Sequence, residues 1–390
     1  MHASNHPVVI VGSGMAGVGL VRALRKLDTQ RPITLVSRDS GSEYSKPLLS
    51  TGFAKGLSPE SLAVRSATDL AAQLDINVLT HTSVSAIDVA RRELLFADNT
   101  HQAYSDLVLA TGAAPRVPFV IPETLTSRLF TINDLDDYHR FHTALSQING
   151  SVRVAIIGAG LVGCEFANDL HAGGHQVRII APEAAPLPRL LPPPLGKALG
   201  SAFVEAGIHL ELGRTITELA LSGNDVSIHL DNAAIVTADI VLMATGLAPR
   251  SELAQRAGIH ADTSGIHVDR TLQTSQPGIY ALGDAACVDS LNAMYVQPLQ
   301  ASAKALAATL SGTPTEVSFG AWPVIVKTPL LPVVALPPLQ TPAHWRIEGE
   351  ERNFSALAED KDGRLIGFAL TGSCVRRKVE LSRAAPALLG

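Results

Sequence analysis

The chain has 390 residues, so at about 150 residues per domain it should form two or three domains. Charged residues make up only 17% and hydrophobic residues 46%, which predicts a large folded core and excludes a disordered protein. The balance of 31 basic against 36 acidic residues gives a net charge of −5, which argues against a nucleic-acid partner held through its phosphates.

The cysteines and the N-terminus indicate the compartment. Three cysteines stand far apart, without the spacing of a disulfide scaffold or a metal site: Cys164, Cys287 and Cys374. The polar start Met1 to Pro7 does not resemble a secretory signal, and no uncharged apolar run reaches the roughly 18 residues of a membrane span. We therefore expect a cytoplasmic protein with no metal site and no membrane insertion.

The first predicted elements are a buried strand, a glycine-rich turn and a helix. The β-branched run Val8–Val11 leads into a GxGxxG motif and a helical stretch to Leu27; the motif is Gly12-Ser13-Gly14-Met15-Ala16-Gly17. Its glycines permit a tight turn, a close approach to a pyrophosphate and close helix–strand packing, while the helix N-terminus attracts the negative charge. This pattern predicts a dinucleotide site.

An acidic residue is expected about 20 residues beyond the third glycine, where it would bind a ribose. The chain has Ser37 and Arg38 there, with Asp39 as the nearest carboxylate. The ribose contact is therefore open among these three residues.

The same pattern then occurs a second time. A strand at 152–157 precedes Gly158-Ala159-Gly160-Leu161-Val162-Gly163 and a helix to His171. Each copy has a later ATG motif, Ala110-Thr111-Gly112 in the first and Ala244-Thr245-Gly246 in the second. Two similar modules predict two nucleotide sites. After the second module's next strand stands Glu183, whose charge would repel a 2′-phosphate and favours NADH over NADPH.

Together with Ile279-Tyr280-Ala281-Leu282-Gly283-Asp284, these motifs resemble the FAD-dependent pyridine nucleotide reductases over nearly the whole chain. The resemblance implies that FAD binds the first site and NADH the second, with Asp284 at the ribityl–phosphate region. The nucleotide contacts it implies are Gly12, Ser13, Gly14, Met15, Ala16, Gly17, Ser37, Arg38, Ala110, Thr111, Gly112, Gly158, Gly160, Leu161, Val162, Gly163, Glu183, Gly246, Gly283 and Asp284.

Within that family, the segment from Glu43 to Ser50 is the discriminating one, because it has neither a CxxxxC disulfide nor a single cysteine. The sequences Tyr44-Ser45-Lys46-Pro47 and Val324-Ile325-Val326-Lys327-Thr328-Pro329 are similar to those of rubredoxin–NAD reductases and flavorubredoxin reductases. Ferredoxin reductases are less similar, since they have an arginine in place of Lys46. The run at 163–170 strengthens the match to rubredoxin reductases.

The resemblance implies a FAD-dependent NADH:rubredoxin oxidoreductase. A hydride passes from NADH to the flavin, and single electrons leave for rubredoxin, a small acidic one-iron protein. One alternative is a reductase of flavorubredoxin or ferredoxin, and another is an NADH oxidase or diaphorase that acts on oxygen or quinone. A flavoprotein that signals by an NADH-dependent conformational change is a non-enzymatic alternative.

Three charged residues are candidates for the catalytic site. Lys46 would lie near the isoalloxazine, or else in a solvated loop. Glu165 would lie beside the nicotinamide and flavin, or else cap its helix. Lys327 follows an apolar run where an unpaired charge is costly, so it should have a partner, either the flavin or solvent at a sheet edge.

Further expectations concern single positions. A helix from about Leu299 to Leu310 would direct its positive end at the flavin, with Val296 and Gln297 offering backbone contacts, or would be an ordinary capped helix. Val84 would approach the adenine or be a buried strand valine. The basic run from Arg376 to Lys378 would steer an acidic partner or be a solvated helix face.

These expectations give an α/β fold with two Rossmann-like three-layer nucleotide-binding domains and a small C-terminal α+β domain. The FAD-binding domain would be discontinuous, made of residues 1–118 and 250–316. The NAD-binding domain would comprise residues 119–249, and the C-terminal domain residues 317–390.

Overall fold

The computed structural model describes residues 6–390, so most of the polar start lies outside the described residues. Its helices, in chain order, are α1 (Met15–Leu27), α2 (Pro59–Leu62), α3 (Ala67–Leu74), α4 (Leu135–Ser146), α5 (Leu161–Ala172), α6 (Pro193–Ala206), α7 (Glu252–Arg256), α8 (Val296–Leu310) and α9 (Lys378–Ala384). Short 3-10 segments cover Lys46–Thr51, Glu123–Leu125, Gly283–Ala285 and Gly372–Arg377. None of these helices is long and apolar enough to cross a membrane.

The strands of the same residues are, in chain order, β1 (Val8–Val11), β2 (Ile33–Val36), β3 (Glu43–Tyr44), β4 (Ala63–Arg65), β5 (Asn77–Leu79), β6 (Val84–Asp88), β7 (Glu93–Phe96), β8 (His101–Ala103), β9 (Asp106–Leu109), β10 (Ala113–Pro115), β11 (Leu129–Thr131), β12 (Arg153–Ile157), β13 (Gln176–Ala181), β14 (His209–Leu212), β15 (Ile216–Ser222), β16 (Asp225–Leu230), β17 (Ile235–Ala238), β18 (Ile240–Met243), β19 (Leu247–Pro249), β20 (Ala261–Asp262), β21 (Gly265–Val268), β22 (Ile279–Ala281), β23 (Ala286–Val288), β24 (Val324–Val326), β25 (Val333–Leu336), β26 (His344–Glu350), β27 (Asn353–Glu359) and β28 (Leu365–Thr371).

The chain forms two compact units, of which the first comprises the described residues up to Lys46, then Ala63–Ala114 and Leu247–Phe319. Its main sheet is parallel, with the strand order β22-β9-β1-β2-β5. Every residue of β1 and β2 is buried, as expected for parallel strands covered on both faces. Helix α1 connects these two strands and packs against α8, and a three-stranded antiparallel meander, β6-β7-β8, belongs to the same unit.

The second unit comprises Pro47–Leu62, Pro115–Gly246 and Gly320–Gly390. Its parallel sheet has the order β11-β18-β12-β13-β14, in which β18-β12-β13-β14 correspond to β9-β1-β2-β5 of the first unit. The edge strand differs, because β11 precedes β12 in the chain whereas β22 follows β9. Strands β15-β16-β17 form the corresponding meander. The C-terminal part is an antiparallel sheet in the order β24-β25-β28-β27-β26, and Leu381 of α9 belongs to its apolar core. The predicted α/β class, with two Rossmann-like units and a smaller C-terminal α+β part, is confirmed.

The structure adds local detail to the expectations and differs from one of them. Helix α8 begins at Val296 rather than near Leu299, so Val296 lies inside the first turn. Lys46, expected in a loop, is the first residue of a 3-10 segment. The basic run lies at the start of the C-terminal helix, as expected: it spans the end of one 3-10 segment and the first residue of α9, and Arg377 is bound to Glu380 and Ser355. The earlier start of α8 is compatible with Pro298, because the first-turn amides of a helix have no intrahelical partner and the amide that proline lacks is not needed there.

Candidate functional site

The first glycine motif forms a cradle between β1 and α1. A Cβ atom at Gly12 would lie 2.2 Å from the carbonyl oxygen of Ala110, and one at Gly17 would lie 1.9 Å from that of Gly12. A Cβ atom at Gly14, in contrast, would have no atom within 4 Å. The outer glycines are therefore required by packing, while the middle one leaves space at a helix N-terminus, as the pyrophosphate of a dinucleotide requires.

The second motif has the same geometry between β12 and α5. A Cβ atom at Gly158 would lie 2.5 Å from the carbonyl oxygen of Ala244, and one at Gly163 would lie 2.0 Å from that of Gly158. Gly160 again faces open space, with no atom within 4 Å. The residues between the glycines also correspond: Met15 and Ala16 are the first two residues of α1, and Leu161 and Val162 are the first two residues of α5.

The predicted ribose region of the first unit is a small hydroxyl–carboxylate network. The Ser37 side chain is buried, and its hydroxyl lies 2.6 Å from that of Ser13. The carboxylate of Asp39 accepts hydrogen bonds from the Ser37 hydroxyl and from the Gly41 amide. The structure thus joins Ser13, Ser37 and Asp39, while Arg38 is exposed at the surface.

The Gly-Asp motif lies beside this first cradle. Gly283 has a φ of +75°, and a Cβ atom there would lie 2.8 Å from the Cβ of Ala16. The next residue, Asp284, forms an ion pair with Lys46, with 3.8 Å between Nζ and Oδ2. The structure therefore brings Lys46, Asp284 and the first glycine motif together within one unit.

The remaining predicted positions of the first unit lie at element ends. Val84 is the first residue of β6, and Val296 is the first residue of α8. Of the first ATG motif, Ala110 is buried, and the Thr111 hydroxyl donates a 2.9 Å hydrogen bond to the carbonyl of Arg250. Gly112 accepts a hydrogen bond from the Arg250 amide through its own carbonyl.

The second unit contains the other two catalytic candidates, in direct contact. Glu165 is only 6% exposed, and its carboxylate accepts hydrogen bonds from the Ser50 hydroxyl at 2.8 Å and from the Lys327 amide at 3.1 Å. The Lys327 ammonium also forms an ion pair with it. Lys327 thus has the partner that its apolar surroundings require, and this partner is a carboxylate. Because Glu165 is the fifth residue of α5, it does not cap that helix.

Sequence reasoning missed two polar residues of the same helix. The Asn168 side chain accepts a 3.3 Å hydrogen bond from the Leu330 amide, and Asp169 accepts bonds from the amides of Phe53 and Ala54. Both side chains are 3% exposed. The signal that could have found them is their spacing, since residues three and four positions after Glu165 share its helix face.

Near Glu183, the residue predicted to favour NADH over NADPH, the structure adds a residue that the sequence did not indicate. Glu183 follows β13 and is exposed, and its carbonyl accepts a 2.9 Å hydrogen bond from the Gly213 amide. The amide of the next residue, Arg214, donates a hydrogen bond to the carbonyl of Ala181, the last residue of β13. An arginine backbone therefore lies beside the Glu183 segment, although 31 positions separate the two in sequence. Gly246 of the second ATG motif accepts a bond from the Arg116 amide.

The cysteines show no redox pair. All three are free; Cys164 and Cys287 are buried, and Cys374 is partly exposed. Burial raises the pKa of the Cys164 thiol, which keeps it protonated and unreactive.

The chain belongs to the pyridine nucleotide-disulphide oxidoreductase family, whose model matches residues 6–308. A second model, the rubredoxin binding C-terminal domain, matches residues 316–385. The resemblance predicted from the motifs is thereby confirmed, as is the prediction of an NAD-dependent oxidoreductase.

Particular relatives cover almost the whole chain. The rubredoxin-NAD(+) reductase of Alcanivorax borkumensis is 41% identical over 98% of this chain and 100% of that protein. The nitric oxide reductase FlRd-NAD(+) reductase of Klebsiella pneumoniae is 36% identical over 93% of this chain and 95% of that protein. Among solved structures, the covalent putidaredoxin reductase–putidaredoxin complex is similar, with a TM-score of 0.87 and 26% identity over 98% of this chain and 94% of that chain.

Proposed function

We propose that the protein is a FAD-dependent NADH:rubredoxin oxidoreductase that works in the cytoplasm. The observation that carries this proposal is the pair of matching glycine cradles followed by a C-terminal part that matches a rubredoxin binding domain. The relative at 41% identity, which is named a rubredoxin-NAD(+) reductase, supports the choice of acceptor.

Each of the two cradles would bind one of the two dinucleotides. FAD would bind at the first cradle, where Ser37, Asp284 and Lys46 lie in the same unit, and NADH at the second. When bound, FAD accepts a hydride from NADH and releases its electrons one at a time. The amides at the start of α1 and α5 would hold the two pyrophosphates against the helix dipoles.

Glu165 and Lys327 would act at the reacting end of the nicotinamide. Their contact leaves a buried carboxylate with three donors, so its orientation is fixed. A charge pair whose orientation is already fixed can orient a bound ring without having to reorganise during the reaction. The domain boundaries we propose are those derived from the sequence, with residues 317–390 forming the part that meets the acceptor.

The test is a two-step stopped-flow experiment. The purified flavoprotein is reduced with NADH and then mixed with a one-iron rubredoxin, a [2Fe–2S] ferredoxin or air-saturated buffer. We expect rubredoxin to reoxidise the flavin fastest at equal acceptor concentration. Faster reoxidation by ferredoxin or oxygen would refute the proposed acceptor but would leave the family assignment intact.

A reductase of flavorubredoxin is the second candidate, because the relative at 36% identity is named a FlRd-NAD(+) reductase. The same experiment separates the two functions when an isolated rubredoxin and a complete flavorubredoxin are compared. A higher second-order rate constant with the flavorubredoxin would favour the second candidate.

A further inference from the structure

Helix α5 has three buried polar side chains on one face, which are not needed to form the helix itself. Glu165, Asn168 and Asp169 are 6%, 3% and 3% exposed, in a helix whose residues from Gly163 to Leu170 are all buried. Burying polar and charged groups is costly unless each of them is hydrogen-bonded. The partners of these three side chains therefore show what the polar face holds.

The Asp169 carboxylate holds a turn of the segment Pro47–Leu62. Its Oδ1 accepts the Ala54 amide at 2.8 Å, and its Oδ2 accepts the Phe53 amide at 3.2 Å. Burial raises the pKa of Asp169 above its usual value, although these amides, the charge of Lys327 and the Gly52 amide all act to lower it. Hydrogen bonds to an ionised carboxylate are about twice as strong as neutral ones, so this turn is firmly attached to α5.

Packing restrains the same turn from the side of α4. A Cβ atom at Gly52 would lie 2.2 Å from the hydroxyl oxygen of Tyr138, so the backbone there is already in close contact. The Phe53 ring stacks on His142, with 5.5 Å between ring centroids. Two residues before Gly52, the Ser50 hydroxyl donates to Glu165. A turn that is fixed at residues 52–54 therefore also fixes the position of Ser50.

Asn168 holds the second segment in the same way. Its Oδ1 accepts the Leu330 amide, and its Nδ2 donates a 2.9 Å bond to the Cys164 carbonyl. Three residues before Leu330, Lys327 contacts Glu165 through both its amide and its ammonium. The donors of Glu165 thus come from the two segments that the next polar residues of its own helix hold in place.

We propose that Asp169 is a positioning residue for hydride transfer, which acts through Ser50 on the direction of the Glu165 carboxylate. This inference rests on the proposed function, because it takes Glu165 to lie beside the nicotinamide. Asp169 itself does not touch the reacting atoms. It fixes the turn at 52–54, the turn fixes Ser50, and Ser50 restricts the rotation of the carboxylate.

The test is a double-mutant cycle of Asp169→Asn and Ser50→Ala in the FAD-loaded protein. The first readout is the rate of flavin reduction by NADH, which needs no electron acceptor and so stands even if rubredoxin proves to be the wrong partner. The second readout is amide hydrogen exchange of residues 47–62. Asp137→Asn is the matched control, because Asp137 is also a largely buried aspartate that accepts a backbone amide, that of Asn133, and it is not bonded to this segment.

We expect each single variant to reduce flavin about tenfold more slowly, which corresponds to about 1.4 kcal/mol. The double variant should be no slower than Ser50→Ala, and Asp169→Asn should speed amide exchange at residues 52–54 by at least about tenfold. Asp137→Asn should leave both readouts unchanged. If Asp169→Asn does not retain flavin, Asp169→Glu, which keeps the charge and moves it by one methylene, replaces it in the same cycle.

Two results would overturn the proposal. In the first, exchange at 52–54 speeds up while flavin reduction by NADH stays at the wild-type rate, which would give Asp169 a purely structural role. In the second, the effects of the two substitutions multiply, which would mean that Asp169 does not act through Ser50.

Discussion

Replacing Gly160 with alanine adds one methyl group at the second cradle without disturbing the chain. No atom lies within 4 Å of the added Cβ, and the φ of −77° at this position is accessible to any residue. Alanine is a poorer N-cap than glycine, so we expect the free energy of unfolding to fall by no more than about 1 kcal/mol. A larger effect would have to come from the ligand.

The size of the effect on the ligand follows from close packing. A methyl group forced into a well-packed contact costs about 1–3 kcal/mol. Since each 1.4 kcal/mol changes an equilibrium constant tenfold, the Kd for NADH should rise about 5- to 150-fold. Gly14→Ala is the matched variant at the first cradle, with a φ of −67° and the same open space. Gly14→Ala should raise the Kd for FAD by a similar factor.

The assay measures both ligands on both variants. FAD retention is followed by absorbance after gel filtration at increasing chaotrope concentration, and NADH affinity by titration of the flavin-loaded protein. We expect Gly160→Ala to keep FAD and lose NADH affinity, and Gly14→Ala to lose FAD. The assignment of the two cradles is wrong if the NADH affinity of Gly160→Ala stays within twofold of wild type, or if both variants weaken the binding of the same ligand.

Three further predictions concern other parts of the chain. Gly52→Ala should lower the free energy of unfolding by about 1–3 kcal/mol in chemical denaturation. Adding Tyr138→Phe should recover much of that loss, because it removes the buried hydroxyl that the new methyl group would meet and that has no hydrogen-bond partner among the described residues. Equal losses with and without Tyr138→Phe would contradict this. Burial acts to raise the pKa of Asp239, but hydrogen bonds from Arg153 outweigh it and hold the pKa below the usual range. The resulting stabilisation of the folded state is present at pH values above the ordinary carboxyl pKa and is lost as the pH falls through the lowered pKa of Asp239. Arg153→Gln should therefore lower the free energy of unfolding by about 1 kcal/mol at pH 7 and by less in acid. A loss that does not depend on pH would refute this linkage. Glu183→Arg should raise the ratio of kcat/KM for NADPH to that for NADH, and an unchanged ratio would exclude a role for Glu183 in this choice.

The sequence predicted the two nucleotide cradles well, because their signals are local. A fully apolar strand, three glycines at fixed spacing and a helix follow one another within about 20 residues, so the pattern can be recognised without knowledge of the rest of the chain. The internal repetition then predicted a second Rossmann-like unit, and the structure contains it, with four of the five strands of its parallel sheet in the order found in the first unit.

The surroundings of Glu165 could not be predicted in the same way. Its partners Ser50 and Lys327 are 115 and 162 positions away in sequence, and only the packed fold brings them together. The pattern correctly indicated that Lys327 needs a partner, because an unpaired charge after an apolar strand is costly. It did not indicate which partner, since several buried groups satisfy that requirement equally well.

The close contact between each first glycine and its ATG motif is made across connecting segments of different length. The interval from Gly12 to Ala110 is 98 residues, and that from Gly158 to Ala244 is 86, a difference of 12. Yet the Cβ clearances at the two glycines are nearly equal, 2.2 and 2.5 Å. The intervening helices and meanders thus differ in length between the two units, while the glycine and the alanine carbonyl make the same close contact in each. A circularly permuted or loop-grafted version of either half should therefore keep its cradle, provided that the new ends avoid these two short stretches.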